Sequence, residues 1–160
     1  MKPSIQNSRP EDLDFFRQLE IQNDTFVCAA SADEHRAFLQ SDNARHLSIF
    51  DEHNRLIGFM LLIGVQNPHK SLELRRIVLD QKNRGYGRQA LRWAKKYCFE
   101  TLRFHRLWLD VYTDNARAIR LYESEGFLRE GTRRECLLRK GTFQSLHLYA
   151  MLEKEYHPAE

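Results

Sequence analysis

Between Leu72 and Tyr112 the chain spells out a strand, a polar turn with two glycines, a helix and a second strand, and this unit constrains the fold more than any other feature. Leu72 and Leu74 alternate with Glu73 and Arg75, and Ile77-Val78-Leu79 continue as an unbroken apolar run. After Arg84-Gly85-Tyr86-Gly87-Arg88-Gln89, the residues Leu91, Ala94, Cys98 and Leu102 recur at helical spacing, and Leu107, Leu109 and Val111 then alternate with Trp108, Asp110 and Tyr112. Two strands joined by a helix return to one sheet in parallel, as a right-handed crossover. Short polar turns at Asp51-Glu52-His53-Asn54 and Lys140-Gly141 instead join their flanking strands as antiparallel hairpins. The spacing therefore predicts an α/β fold: a single domain with a mixed, mostly antiparallel central sheet, helices on both faces and a βαβ unit at its centre.

Around that unit the elements follow in order. Ile5 to Ser8 reads as a short strand, and a helix opens at Pro10 with Glu11 and Asp12 in its first turn. A second helix starts near Ser31 or Asp33. His46 to Phe50 pairs with Leu56 to Val65, the latter apolar enough to be buried on both faces. A helix capped by Asp114 or Asn115 carries Ile119, Leu121 and Tyr122 and stops at Gly126. Phe127 to Leu138 and Gln144 to Leu152 close the chain as a hairpin. The alternation slips by one residue at Arg75-Arg76, which marks either a β-bulge beside a site or a strand whose second half is buried on both faces. The 160 residues suit one domain over 1–160, without repeats or linkers.

Charge and cysteine usage narrow the function classes. Lys and Arg number 25 against 22 Asp and Glu, a net charge of +3 that would welcome an anionic ligand without requiring nucleic acid. No apolar run approaches the ~20 residues of a membrane span, so the expectation is a soluble, cytoplasmic protein with no membrane partner. Cys28, Cys98 and Cys136 form no C-x-x-C pair and read as reduced, mostly core thiols. The histidines show no ligand spacing, so no metal is expected. Arg88, Arg92, Lys95 and Lys96 line one helix face that either contacts nucleic acid or is simply solvated. Residues 20–34 hold Glu20, Asp24, Asp33 and Glu34 with no Lys or Arg, which either suits a cationic amine or faces solvent.

The glycine turn has its own chemistry. A strand that passes through glycines into a helix presents unpaired N–H groups and the positive end of the helix dipole, which suits phosphate. Gly85 and Gly87 allow close backbone approach, and Arg84 and Arg88 add charge. A Walker A loop is excluded because Gly-Lys-Ser/Thr is absent. Gly85, Gly87 and Ala90, with Asp110 downstream, fit a dinucleotide fingerprint, which keeps a nicotinamide-dependent oxidoreductase as an alternative. A non-catalytic domain that binds coenzyme A or nucleic acid is another.

Residues 74–127 also resemble the GNAT superfamily of acyl-CoA-dependent N-acyltransferases. The resemblance lies in the strand end Ile77-Val78-Leu79, the loop Arg84 to Gln89, and the run Asn115, Ala118, Leu121, Tyr122, Gly126 and Phe127. Gln89 departs from the small residue that ends the first pattern. Glu130-Gly131-Thr132-Arg133 and the closing hairpin are most similar to the ribosomal-protein and polyamine acetyltransferase branches. The resemblance implies transfer of an acetyl group from acetyl-CoA to a primary amine in a ternary complex. It implies that Tyr122 is the general acid for the departing thiolate, and that Ile77, Val78 and Leu79 pair with pantetheine. Arg84, Gly85, Tyr86, Gly87, Arg88 and Gln89 would then cradle the diphosphate, and Asn115 would contact the pantetheine arm or cap its helix. Glu73, with Asp110 and Glu123 in reserve, is the expected base, and a bulge at Arg75-Arg76 would open the wedge that pantetheine enters. The acceptor is expected to be a small-molecule amine, a protein N-terminus or a lysine, and a homodimer is compatible with the chain.

Overall fold

Two short turns decide how the ends of the sheet are built. The turn at 51–54 folds β2 (Ala44–Phe50) against β3 (Leu56–Ile63), and Lys140 and Gly141, at φ 48° and 76°, make the two-residue turn that joins β6 (Leu128–Arg139) to β7 (Thr142–Leu152). The computed structural model describes residues 2–24, 26–27, 29–80, 82 and 84–159. With β1 (Ser4–Asn7), β4 (Ser71–Leu79) and β5 (Arg106–Tyr112), the strands form one sheet in the order β1-β2-β3-β4-β5-β7-β6. Every neighbouring pair is antiparallel except β4 and β5. A dinucleotide fold needs a run of parallel strands, so this order removes the oxidoreductase alternative.

The helices end where their caps dictate. Pro10 opens a single 3-10 turn, Pro10–Asp12, ahead of α1 (Leu13–Gln22). α2 (Ala32–Gln40) starts on a capping box in which Ser31 Oγ accepts from Glu34 N–H and Glu34 Oε2 accepts from Ser31 N–H. α3 (Tyr86–Lys96) runs into a π-helical turn at Tyr97–Thr101, and α4 (Ala116–Ser124) is capped by Asn115, whose Oδ1 accepts from Ala118 N–H at 3.3 Å. β3 stops two residues short of Val65 because Gly64 turns the chain at φ 101°.

Alternate side chains of β3 serve opposite faces of the sheet. Phe59 meets Leu13, Phe16 and Leu19 of α1, whereas Met60 and Leu62 join Ala90, Leu91 and Ala94 of α3. Each of the large side chains among these stabilises the fold by about 2 kcal/mol on burial. α4 packs beside α3 through Ile119 and Leu121. The basic face of α3 is also used there: Arg88, Arg92 and Lys95 converge on Glu125, with Lys95 Nζ 2.9 Å from Glu125 Oε2. These three cations tie α3 to α4, and Lys96 of the same stripe stays exposed. Of the cysteines, expected to be mostly core thiols, Cys98 is buried and Cys136 exposed, while Cys28 lies outside the described residues.

Candidate active site

The one parallel contact in the sheet is brief. β4 and β5 pair only at Ser71 with Arg106, Leu72 with Leu107 and Glu73 with Trp108. The reason lies on the other side of β4, where Leu61 faces Arg76 and Leu62 faces Leu74, so Arg75 is the extra residue of a β-bulge. The bulge bends β4 away from β5 just where their pairing ends. The period slip at Arg75-Arg76 therefore marks a real kink.

The separation opens a cleft of about 1240 Å³ between the two strands, roofed by the first turns of α3 and α4. Asp80 donates its N–H to Ile57 of β3, and backbone groups alternate in direction along a strand, so Ile77 and Leu79 turn theirs to the edge that β5 has left. Val78 instead points its backbone to β3 and buries its side chain under α1. At the far end of the cleft Gly85, at φ 78°, starts α3 without a side-chain cap. Gln89 N–H is already taken by Gly85 O, but the N–H groups of Gly87 and Arg88 have no partner among the described residues. A Cβ on Gly87 would lie 3.7 Å from Leu79 and 3.8 Å from Leu121, so the glycine keeps the passage between β4 and α4 open.

The expected site residues gather here with three distinctions. Glu73, Ile77, Val78, Leu79, Arg84, Gly85, Tyr86, Gly87, Arg88, Asn115 and Tyr122 all line the cleft, and Gln89 does not. Tyr86 turns its side chain into the core, where its hydroxyl donates to Glu52, so it meets the cleft through its backbone. The Arg88 guanidinium reaches Ser124 and Glu125. An anionic group fits the free amides and the open edge.

Tyr122 lines the cleft, and its hydroxyl has no hydrogen-bond partner among the described residues. Burial, and secondarily the nearby Asp110 carboxylate, push this phenol up to about 12, so it stays protonated. Four charges sit beside it. Glu73 accepts from Arg75 through both oxygens, at 2.6 and 2.9 Å, and Asp110 Oδ2 accepts from Arg133 at 2.7 Å. Burial raises the Asp110 carboxyl, and the Glu73 charge adds to the rise, while Arg133 and Arg75 oppose it.

Several determinants escaped the sequence reading. Arg76 lines the cleft, and its Nη1 donates at 2.7 Å to Glu20 Oε2, a carboxylate fully buried behind the wall. Glu20 Oε2 also accepts Ala30 N–H at 2.9 Å, and its Oε1 meets His35 Nε2. His35 Nδ1 in turn lies 2.9 Å from His46 Nε2, which burial, with His35 and Arg76 nearby, holds down at about 3. The only sequence signal for this network was an acid at position 20, one turn after Phe16 on the apolar face of α1. The acids of 20–34 are thus not an open amine site: Asp24 binds Lys140 at 2.6 Å, Asp33 binds Arg36 and Glu34 caps α2. In their place Gln22, Asn23, Phe26 and Val27 line the cleft, held over it by Arg139, which bonds Tyr112 Oη at 3.0 Å and Val27 O at 3.3 Å.

The sequence matches the family described as Acetyltransferase (GNAT) family over residues 15–127. The chain belongs to the GNAT acetyltransferases. A spermidine N(1)-acetyltransferase of Vibrio cholerae is 32% identical over 117 residues, covering 72% of this chain and 68% of that protein. A mutant form of the spermidine N-acetyltransferase from Vibrio cholerae superposes with a TM-score of 0.83 at 25% identity, over 96% of this chain and 95% of that one. A structure from the same organism in complex with CoA and spermine gives a TM-score of 0.85 at 24% identity, over 96% and 97% of the two chains. This GNAT enzyme is an acetyl-CoA-dependent N-acetyltransferase that acetylates amines, and its fold is the one expected from the crossover and hairpins.

Proposed function

We propose that the enzyme transfers acetyl directly from acetyl-CoA to a small-molecule amine within a ternary complex, with Tyr122 as general acid. The observation that carries this reading is the unpaired edge of β4 at Ile77 and Leu79, which leads from the Gly87 and Arg88 amides to the Tyr122 hydroxyl. The diphosphate is bound by those amides, with Arg84 adding charge from the loop. Pantetheine lies along the β4 edge as an added strand and meets the Asn115 side chain, whose oxygen also caps α4. A backbone N–H on that edge polarises the thioester carbonyl.

The amine attacks as the free base. Asp110 takes up its proton in preference to Glu73: Arg75 engages both Glu73 oxygens, whereas Asp110 keeps one free and its carboxyl is raised by burial. Tyr122 then donates to the leaving sulfur. Direct transfer is supported because Cys98 is buried away from the cleft, its thiol raised to about 12 by burial, and Cys136, the exposed thiol in the cleft lining, has no base hydrogen-bonded to it among the described residues. The small-molecule acceptor, in place of a protein N-terminus or lysine, is supported by the spermidine-named relatives. A cytoplasmic setting, where free thiols persist, is part of the same proposal.

A screen of amine classes with acetyl-CoA, followed by release of free thiol, tests the assignment. Turnover that saturates in both substrates with intersecting double-reciprocal lines is expected. Parallel lines, the mark of an acyl-enzyme, would overturn direct transfer.

A further inference from the structure

The acceptor end of the cleft has few charges to offer a polycation. Among the described residues its wall holds two carboxylates, Glu73 and Asp110, and each is already bridged by an arginine, Arg75 and Arg133. A third guanidinium, Arg76, faces the same space, but its counter-charge Glu20 has 0% side-chain exposure and lies behind the wall. The remaining acids of the α1–α2 segment are bound elsewhere, to Lys140, Arg36 and the α2 cap. An ammonium group arriving beside the reacting amine therefore meets three arginines and a single free carboxylate oxygen, that of Asp110, which the reaction itself uses.

An anion meets the reverse situation. A guanidinium carries five N–H donors, and the described contacts use one nitrogen of Arg76 and one of Arg133, so donors remain for a guest. Building on the acetyltransferase reading, we propose that the acceptor is an amine bearing a carboxylate on a neighbouring carbon, of the α-amino acid class, oriented by Arg76 and Arg133. Polyamines are poor acceptors in this site. The carboxylate on the guanidinium groups fixes the amine beside Asp110 and Tyr122. The neutral amine gives one proton to Asp110 as its nitrogen forms the new bond to the acetyl carbon. The carbon–sulfur pair leaves on sulfur, which takes the Tyr122 proton, and Asp110 returns its proton to Tyr122 through solvent, so the products are the amide and the free coenzyme thiol.

The test uses the full-length enzyme with acetyl-CoA and compares kcat/KM for amino acids, their matched carboxamides, spermidine and putrescine. The preferred amino acid should exceed its own carboxamide and spermidine by at least about tenfold, since the amide keeps the shape but loses the charge and turns one acceptor oxygen into an NH2 donor facing the guanidinium groups. In Arg133→Gln, whose side chain is 56% exposed so that folding survives, the acid-to-amide ratio should collapse through a higher KM for the acid, with KM for acetyl-CoA unchanged. Equal turnover of acid and amide, or spermidine at or above the best amino acid, would overturn the proposal and leave the acetyltransferase intact. Bound acetyl-CoA with no turnover of any amine would overturn the underlying reading and this proposal together.

Discussion

Glu20 on α1 and Arg76 at the β4 bulge meet at 2.7 Å across the wall of the cleft, a fully buried carboxylate holding a guanidinium that faces the site. Because Glu20 also takes Ala30 N–H and His35, one side chain fixes the bulge to the segment between α1 and α2. Replacing it by Gln keeps the shape but leaves Arg76 without its counter-charge. Glu20→Gln should lower stability by about 3 kcal/mol and raise the acceptor KM more than the acetyl-CoA KM. Urea denaturation and steady-state kinetics measure both; a loss under 1 kcal/mol, by the same scale, would show that the pair is not what holds the wall.

Tyr122→Phe removes only the hydroxyl from a ring that packs edge-on to Phe127 at 6.1 Å. Since the hydroxyl has no structural partner among the described residues, folding should be unaffected. kcat should fall by about 100-fold, with acetyl-CoA affinity unchanged by calorimetry. An unaltered kcat would take the phenol out of the mechanism.

Gly87 offers a graded test of the diphosphate cradle. The space around its Cβ position, 3.7 Å from Leu79, admits a methyl group, so Gly87→Ala should fold at least as well. The branched side chain of Gly87→Val would fill the passage, and the Kd for acetyl-CoA should rise by at least about tenfold without loss of thermal stability. Unchanged binding would place the phosphates elsewhere.

The α3–α4 tie is sensitive to acid. Burial would raise the Glu125 carboxyl, but hydrogen bonds from Arg92, Lys95 and Arg88 outweigh it and hold the group at about 2, against an ordinary 4.5. A carboxyl depressed in the folded state contributes stability above its unfolded value and loses it as pH falls through the folded one. Stability measured from pH 6 downward should decline between roughly pH 4.5 and 2, and Glu125→Gln, already weaker at pH 6, should decline less. Parallel pH profiles would exclude Glu125 as the titrating group.

Local pattern alone carried much of this protein. Alternation in Leu72–Leu79 and Leu107–Tyr112, helical spacing between them and two tight turns specify a mostly antiparallel sheet around one crossover, because each is an interaction among residues near in sequence. The slip at Arg75-Arg76 even located the bulge, since an extra residue in a strand must shift its alternation. The glycine turn and the capped helix that bears Tyr122 were legible for the same reason, as local signatures, whereas the roles proposed for them rest on the resemblance to the family.

What tertiary structure alone decided is how the charges are spent. The sequence shows acids at 20, 24, 33 and 34 and a row of cations on α3, but a charge acquires meaning from its partner, and these partners lie far along the chain: Arg76 for Glu20, Lys140 for Asp24, Glu125 for Lys95. Hydrophobic burial follows the period of an element and can be read along it. Electrostatic pairing depends on which side chains folding brings within a few ångströms, and no local pattern encodes that distance.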